Sequence, residues 1–421
     1  MSLMSKFREK TMGAQRTGEY FKDHAIPTGF TLIDMANGCI DQENGCYEAG
    51  LRTGRIFAIC GFSGSGKSTI IAQLSFPMIQ QFENGDMYWF DAEKAMNSKS
   101  RSIQLYCGHD KSPELLQKFY DQVRIESEDT YLDDLIEFVK TTHDFKMEHL
   151  EELTEEITGY DGKTHKVLAP TIIVVDSLAS TFSKASSASA EDKGELSANT
   201  AGARQAIENN DFIAKSLNML YSANIMIGFV SHLNTKPAMG TPQASKIPFL
   251  PPDENIKGGS GSVFYADFSA KIFKGTILHA DKDYGFDGFI NQIQILKSRS
   301  NVAGRKYPLV FDSTHGGVYD NLLSNVQFLY ETGDIKAAGP YSVLNSCPDI
   351  KFTKKTVRDV VAKNPKLGEA IEEKVIEIMS GKMYRCPVKT IDSTVSEEEA
   401  KKIAAEMGTS FKPEPEAKTK K

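Results

Sequence analysis

The octapeptide Gly61-Phe62-Ser63-Gly64-Ser65-Gly66-Lys67-Ser68 constrains this chain more than any other feature, because of what flanks it. A β-rich run, Arg55–Cys60, ends directly before it, and a helical run, Thr69–Phe82, begins directly after it. In a G-x4-G-K-S loop between strand and helix, the backbone N–H groups can wrap around phosphate oxygens while the helix N-terminus adds its positive dipole end. Gly61, Phe62, Ser63, Gly64, Ser65, Gly66, Lys67, Ser68 and Thr69 are therefore the expected phosphate-binding residues. Lys67 is expected to bridge the β- and γ-phosphates of a nucleoside triphosphate, and Ser68 to ligate its Mg2+.

Three more β-rich runs, Met87–Asp91, Thr171–Asp176 and Ile225–Ser231, alternate with helical stretches, which predicts an α/β fold with a parallel sheet covered on both faces. Asp176 closes an apolar strand, where an unpaired carboxylate is costly unless it faces a cation or donors. It is the expected metal-side carboxylate, although taken alone it equally reads as the cap of a following helix. Glu93, in Asp91-Ala92-Glu93, ends the neighbouring run, and parallel strands deliver their C-terminal ends to one edge, so it is the candidate base that activates water. His232 ends the fourth run and by itself reads as an ordinary polar residue.

After Ser231 the pattern changes. Asn234–Ser262 is rich in Pro and Gly and shows no clear element over about 29 residues, long for a mere connection. Ala266–Phe273, Asn291–Leu296 and Tyr307–Phe311 then follow without long helices between them, so the sheet is expected to continue with antiparallel strands. Lys354–Lys363 and Leu367–Met379 show helical apolar spacing, and from Ser396 the chain becomes a tail rich in Glu, Lys and Ala. The expected organisation is a short N-terminal segment (1–25), a core (26–320), a small helical C-terminal domain (321–395) and a mobile charged tail (396–421).

The net charge of −7 over 421 residues argues weakly against a nucleic-acid partner, but its distribution does not. Between Tyr131 and Glu156 nine acidic residues face two lysines, which accounts for the whole excess; with apolar residues at Leu132, Leu135, Ile136 and Val139, Leu132–Ile157 reads as one helix with a solvated acidic face. Lys271–Lys306 holds seven basic residues against three acidic ones and leaves room for a local basic surface. The apolar runs are far shorter than the roughly 20 residues of a membrane helix. Met1–Lys10 does not read as a secretory leader, and six scattered cysteines without a C-x-x-C pair suggest reduced thiols without structural zinc. A cytoplasmic location without a membrane partner is expected.

Several stretches, in order, resemble the RecA recombinase family, most closely its T4-type bacteriophage branch. They are Ile26–Asp34, Gly61–Ser68, Phe90–Glu93, Val174–Leu178, Val230–His232, Gly258–Gly261 with Phe264–Ala266, and Lys297–Arg299, spread over roughly Ile26 to Val318. The resemblance implies a RecA-like P-loop ATPase core and a recombinase that polymerises on single-stranded DNA, with ATP and Mg2+ at the interface between copies, and exchanges strands with a homologous duplex. It extends less specifically to the helical module near Lys354–Met379. It implies that Glu93 activates water, that His232 senses the γ-phosphate, and that Lys297 and Arg299 enter the neighbouring copy's ATP site. An i, i+2 pair on a strand points one way, as two cations meeting one triphosphate require, although such a pair equally makes a solvated basic face. Ser183–Ala203 and Asn234–Ser262, with Lys236, Lys246 and Lys257, match the DNA-binding loops. The resemblance implies an N-terminal segment that docks on the next copy, and no stretch here matches it, Phe7–Phe21 within 1–25 being where it is expected; loader and single-strand-binding proteins are the implied further partners. The nearest match to the adenine-stacking aromatic is Ile103, with Tyr106 a turn away. The tail departs from the family: six Glu and six Lys between Glu397 and Lys421 cancel where relatives are markedly acidic.

Three other readings compete. A ring-forming helicase of the same core would need an N-terminal collar, for which about 60 residues before the loop are few. A P-loop kinase of a small molecule would leave the long loop and the Lys297/Arg299 pair unexplained. A non-catalytic assembly protein that merely binds nucleotide would have no use for Glu93.

Overall fold

The computed structural model describes residues 24–383 apart from 41–46, 97–98, 109–111, 129–130, 160–161, 185, 188–197, 236–244, 246 and 283. The expected docking segment Phe7–Phe21 and the charged tail lie outside these residues, as do Lys236, Lys246 and much of the two expected DNA-binding loops.

Ten strands build the central sheet: β1 (Ile56–Gly61), β2 (Asp86–Asp91), β3 (Val123–Glu126), β4 (Thr171–Asp176), β5 (Ile225–Thr235), β6 (Glu254–Ile256), β7 (Phe268–Leu278), β8 (Gly288–Ser298), β9 (Lys306–Asp312) and β10 (Val318–Asp320). Their order is β10-β9-β8-β7-β1-β5-β4-β2-β3, with β6 paired to the end of β5. Strands β7, β1, β5, β4, β2 and β3 run parallel to one another, while β8, β9 and β10 continue antiparallel, as the change of pattern after Ser231 predicts. The architecture is thus α/β around a large, mostly parallel central sheet.

Both faces of the parallel half are covered, so its strands are continuous apolar runs. Alternate residues Ile56, Ala58, Ile173, Val175, Ile225, Ile227 and Phe229 pack with Leu132–Glu148 and Ala198–Ser222 on one face. Lys67–Ile79 lies against β1, β2, β4 and β5, and Lys99–Cys107 and Pro113–Gln122 extend that layer. Gly228 marks how closely the layers approach, since a Cβ there would meet the Phe57 ring at 2.6 Å.

Three local expectations are corrected. The acidic helix, expected over Leu132–Ile157, ends at Glu148, and Thr154–Thr158 pairs instead with Thr164–Leu168 in a hairpin, with Thr154, Glu155 and Ile157 half-buried. The stretch 234–262 is not without elements, since β6 falls inside it and the short helix Gly261–Tyr265 begins in it. The C-terminal part is not purely helical, because a three-stranded sheet (Ile335–Ala338, Tyr341–Leu344, Cys347–Phe352) precedes the helices Val357–Lys363 and Pro365–Met383. Arg358 ties this part to the main sheet by ion pairs to Asp312 (2.9 Å) and Asp320 (2.8 Å), and Thr31 reaches Glu372 at 3.2 Å. No described helix is long and apolar enough to cross a membrane.

Candidate active site

The registers bring the chemistry to one edge. Asp176 lies opposite Asp91 and Val230 in the ladder, and His232 opposite Gly61, so β1, β2 and β4 finish close together beside Val230–His232, from which β5 runs on to Thr235. The segment Gly61–Gly66 leaves that edge and turns into the helix Lys67–Ile79, with Gly66 as N-cap in the left-handed region (φ 91°). A side chain at Gly66 is barred twice, by that backbone and by the Tyr319 hydroxyl, which a Cβ would meet at 2.2 Å. Tyr319, on β10 at the far border of the sheet, donates its hydroxyl to Ser65 O (3.2 Å) and accepts from Asn291 (2.9 Å), so it props the loop from behind. Gln73 fixes the Tyr319 backbone by two hydrogen bonds, of 2.8 and 3.0 Å.

Lys67 is 4 % exposed and donates to Phe62 O at 3.0 Å. Burial lowers its pKa, and the nearby Asp176 and Glu93 carboxylates oppose that. Asp176 is 1 % exposed; burial pushes its carboxyl up to about 7, with the Ser68 hydroxyl acting against the rise and Glu93 and Asp91 adding to it. Glu93 accepts from Ser177 Oγ (2.6 Å) and pairs with His232 Nε2 (2.7 Å), and its backbone N–H reaches Asp176 O (3.2 Å). Burial would raise the Glu93 carboxyl, but the Ser177 hydrogen bond, His232 and Lys67 together hold it below its ordinary value. Burial and Lys67 lower the His232 imidazole, with Glu93 pulling the other way. Asp91, fully buried, receives the backbone N–H groups of Ala95 (3.1 Å) and Met96 (2.6 Å) and so shapes the turn that carries Glu93.

Two buried oxygens in this cluster, Asp176 Oδ1 and Ser65 Oγ, have no hydrogen-bond partner. Orphaned buried polar atoms are rare in folded chains and suggest a missing ligand. The donor set fits a hard divalent cation that keeps water and phosphate oxygens in its shell: the Ser68 hydroxyl touches the Asp176 carboxyl, and the other Asp176 oxygen is unclaimed. The described residues hold no group of three or more His, Cys, Asp or Glu placed for a metal, so any ion here would depend on Ser68, Asp176 and the phosphates themselves.

Lys67, Ser68, Glu93, Asp176 and His232 therefore meet, with Gly61–Thr69 forming the loop and first helical turn beside them. Lys297 and Arg299 do not join them within one chain. Lys297 is opposite Ser269, which is opposite Ala58, so this pair lies at the opposite border of the sheet from the phosphate loop. Lys297 donates to Phe264 O and sits over the Phe264 ring (5.7 Å), and Arg299 follows the last residue of β8, its N–H on Asp267 O (3.0 Å). Tyr106 is buried against Trp89, Phe76 and Phe119, so its ring is not available for stacking on a base. Sequence reasoning missed Ser177, for which a hydroxyl directly after the strand-ending Asp176 was the available signal. It also missed Tyr319 and Asn291, which carry no local signal because they act from more than 220 residues downstream. No protein-family model and no curated protein matches this chain.

Proposed function

We propose that this chain is a DNA-dependent ATPase and recombinase of the RecA type, whose ATP-bound copies form a helical homo-oligomer on single-stranded DNA and pair it with a homologous duplex. The observation that carries this reading is the edge cluster in which Ser68, Glu93 and His232 converge on the buried Lys67 and Asp176 around unpaired oxygens. Gly61–Gly66 wraps the phosphates, Lys67 leaves Phe62 O to meet the γ-phosphate, and Ser68 and Asp176 would hold Mg2+, which would supply neutralisation of phosphate charge. Glu93 takes the proton of the attacking water. In this structure His232 occupies the same Glu93 oxygen, Oε1, as Ser177, so a γ-phosphate that draws the imidazole away frees the carboxylate for water. The arrangement links occupancy to β5, whose next residues enter 234–262, and Lys257 N–H is bonded to His232 O (2.8 Å). Lys297 and Arg299, remote from their own loop, act on the neighbouring copy's triphosphate.

The test is the ATP hydrolysis rate with and without single-stranded DNA at two protein concentrations. A rate that rises with both supports the reading, and Lys297→Ala with Arg299→Ala then removes the DNA-stimulated part while ATP binding survives. Phosphate transfer to a small molecule, indifferent to DNA, indicates the kinase alternative. Closed hexamers in electron micrographs instead of open fibres indicate the helicase.

A further inference from the structure

The most deeply buried ion pair beside the phosphate loop belongs to neither the site nor the core. Lys271 on β7 lies opposite Cys60 and one residue before the partner of Gly61, and its side chain is 3 % exposed. Both carboxylate oxygens of Glu254 receive its ammonium. Glu254 is the first residue of β6 and lies opposite Thr235, the last residue of β5, so it sits where the limb Ile247–Ile256 returns to the sheet. The same ammonium stands over two rings, Phe273 at 4.7 Å and Phe62 at 5.8 Å. Phe62 is the loop residue whose carbonyl holds Lys67. An apolar cluster runs alongside, in which Cys60, directly before the loop, packs with Ile247, Leu250 and Ile256 of the limb and with Leu233.

A buried charge pair is a poor source of net stability compared with apolar packing, and breaking one partner is costly, so such a pair fixes position more than it stabilises. We propose that Lys271 and Glu254 are positioning residues that tie the phosphate loop to the returning limb Ile247–Ile256. The inference rests on the nucleotide reading above. A triphosphate takes Lys67 from the Phe62 carbonyl, the Phe62 ring resettles against Lys271, and Lys271 carries Glu254 and the limb with it. This route runs through β7 and is separate from the one through His232.

Hydrogen exchange of peptides covering residues 247–257 in the full-length protein, with and without ATPγS and Mg2+, tests it. The wild type is expected to show at least about tenfold slower exchange with nucleotide. The double variant Lys271→Met/Glu254→Leu removes both charges and leaves no buried ion unpaired, and it is expected to bind nucleotide within about twofold of wild type while losing that slowing. Lys271→Arg, which keeps the charge over both rings, is expected to restore it. Retained slowing in the double variant, or none in a wild type that binds ATPγS, overturns the proposal. A wild type that binds no nucleotide overturns it together with the site. Loss of slowing in the double variant of a protein whose hydrolysis ignores DNA upholds the coupling and removes only the recombinase reading.

Discussion

Two lysines in this protein are equally buried, each 4 % exposed, and they sit at opposite ends of the same strands. Lys146 projects from the helix Leu132–Glu148 to the end where β4 and β5 begin. There it donates to Ala169 O (2.6 Å), Thr171 Oγ1 (3.1 Å) and Asn224 O (3.5 Å), and the Asp86 carboxylate is near. All three ammonium protons have acceptors supplied by neighbouring turns. Lys67, at the end where the strands finish, has one such bond among the described residues, to Phe62 O, while unpartnered buried oxygens stand near both lysines, Ser65 Oγ and Asp176 Oδ1 at this end and Asp86 Oδ1 and Asn224 Oδ1 at the other. Burial of a cation therefore says little about function. What separates these two lysines is how far the ammonium's own protons are already taken, three acceptors for Lys146 against one for Lys67.

The contrast can be broken most forcefully at Lys67. Lys67→Ala is expected to cut hydrolysis to below about one thousandth while leaving the melting temperature nearly unchanged, measured by phosphate release and calorimetry on the same sample. Lys146→Met is expected to do the reverse, costing about 3 kcal/mol in urea unfolding because Ala169 O, Asn224 O and Thr171 lose their donor, with nucleotide affinity unaltered in the folded fraction. If both variants lose stability alike, the distinction between the two lysines fails.

Glu93→Gln gives a smaller effect and sharpens the comparison from the acid side. Turnover is expected to fall roughly hundredfold with nucleotide affinity kept, since the amide still accepts from Ser177 but takes no proton. An unchanged turnover would assign Glu93 to structure alone.

The mildest signature is pH. Burial lowers Lys146 to about 8 from its ordinary 10.5, with Asp86 opposing. Between those values the unfolded chain still holds a proton that the folded chain has released, so folding stability rises with pH there and the burial cost returns as pH falls through about 8. Unfolding free energy is expected to increase by about 1 kcal/mol per pH unit from 8 upward in the wild type, and this slope should be absent from Lys146→Met.

How much of this was legible in the sequence depended on how local the cause is. Thr171–Asp176 matches its strand residue for residue, because a fully buried parallel strand is a run of β-branched residues cut off by a polar one. The strand–turn–helix passage through Gly61–Lys67 was readable for the same reason, since glycine spacing, lysine and helix start are all contiguous. Thr154–Thr158 was misread because its glutamates favour helix, and only the facing residues Thr164–Leu168 make it a strand. The surplus of positive charge over Lys271–Lys306 loses one member as a surface, because Lys271 is enclosed by Glu254, a residue outside the counted window, while Lys274, Lys282, Arg299 and Lys306 stay exposed. Within the site, Glu93, Asp176 and His232 could be chosen because each stands at or just after the end of a β-rich run in the sequence. Nothing local reveals that Ser177 and His232 share one oxygen of Glu93.

Tyr319 gives the phosphate loop a dependence that its own sequence does not advertise. A fragment that ends before residue 318 would contain every residue of Gly61–Ser68 and every acid and imidazole around it. It would nevertheless lack the phenol behind Ser65 and the backbone that Gln73 grips. Such a truncated piece is expected to bind nucleotide poorly in spite of its intact motif, because the outermost strand of the sheet is a remote buttress of Gly61–Gly66.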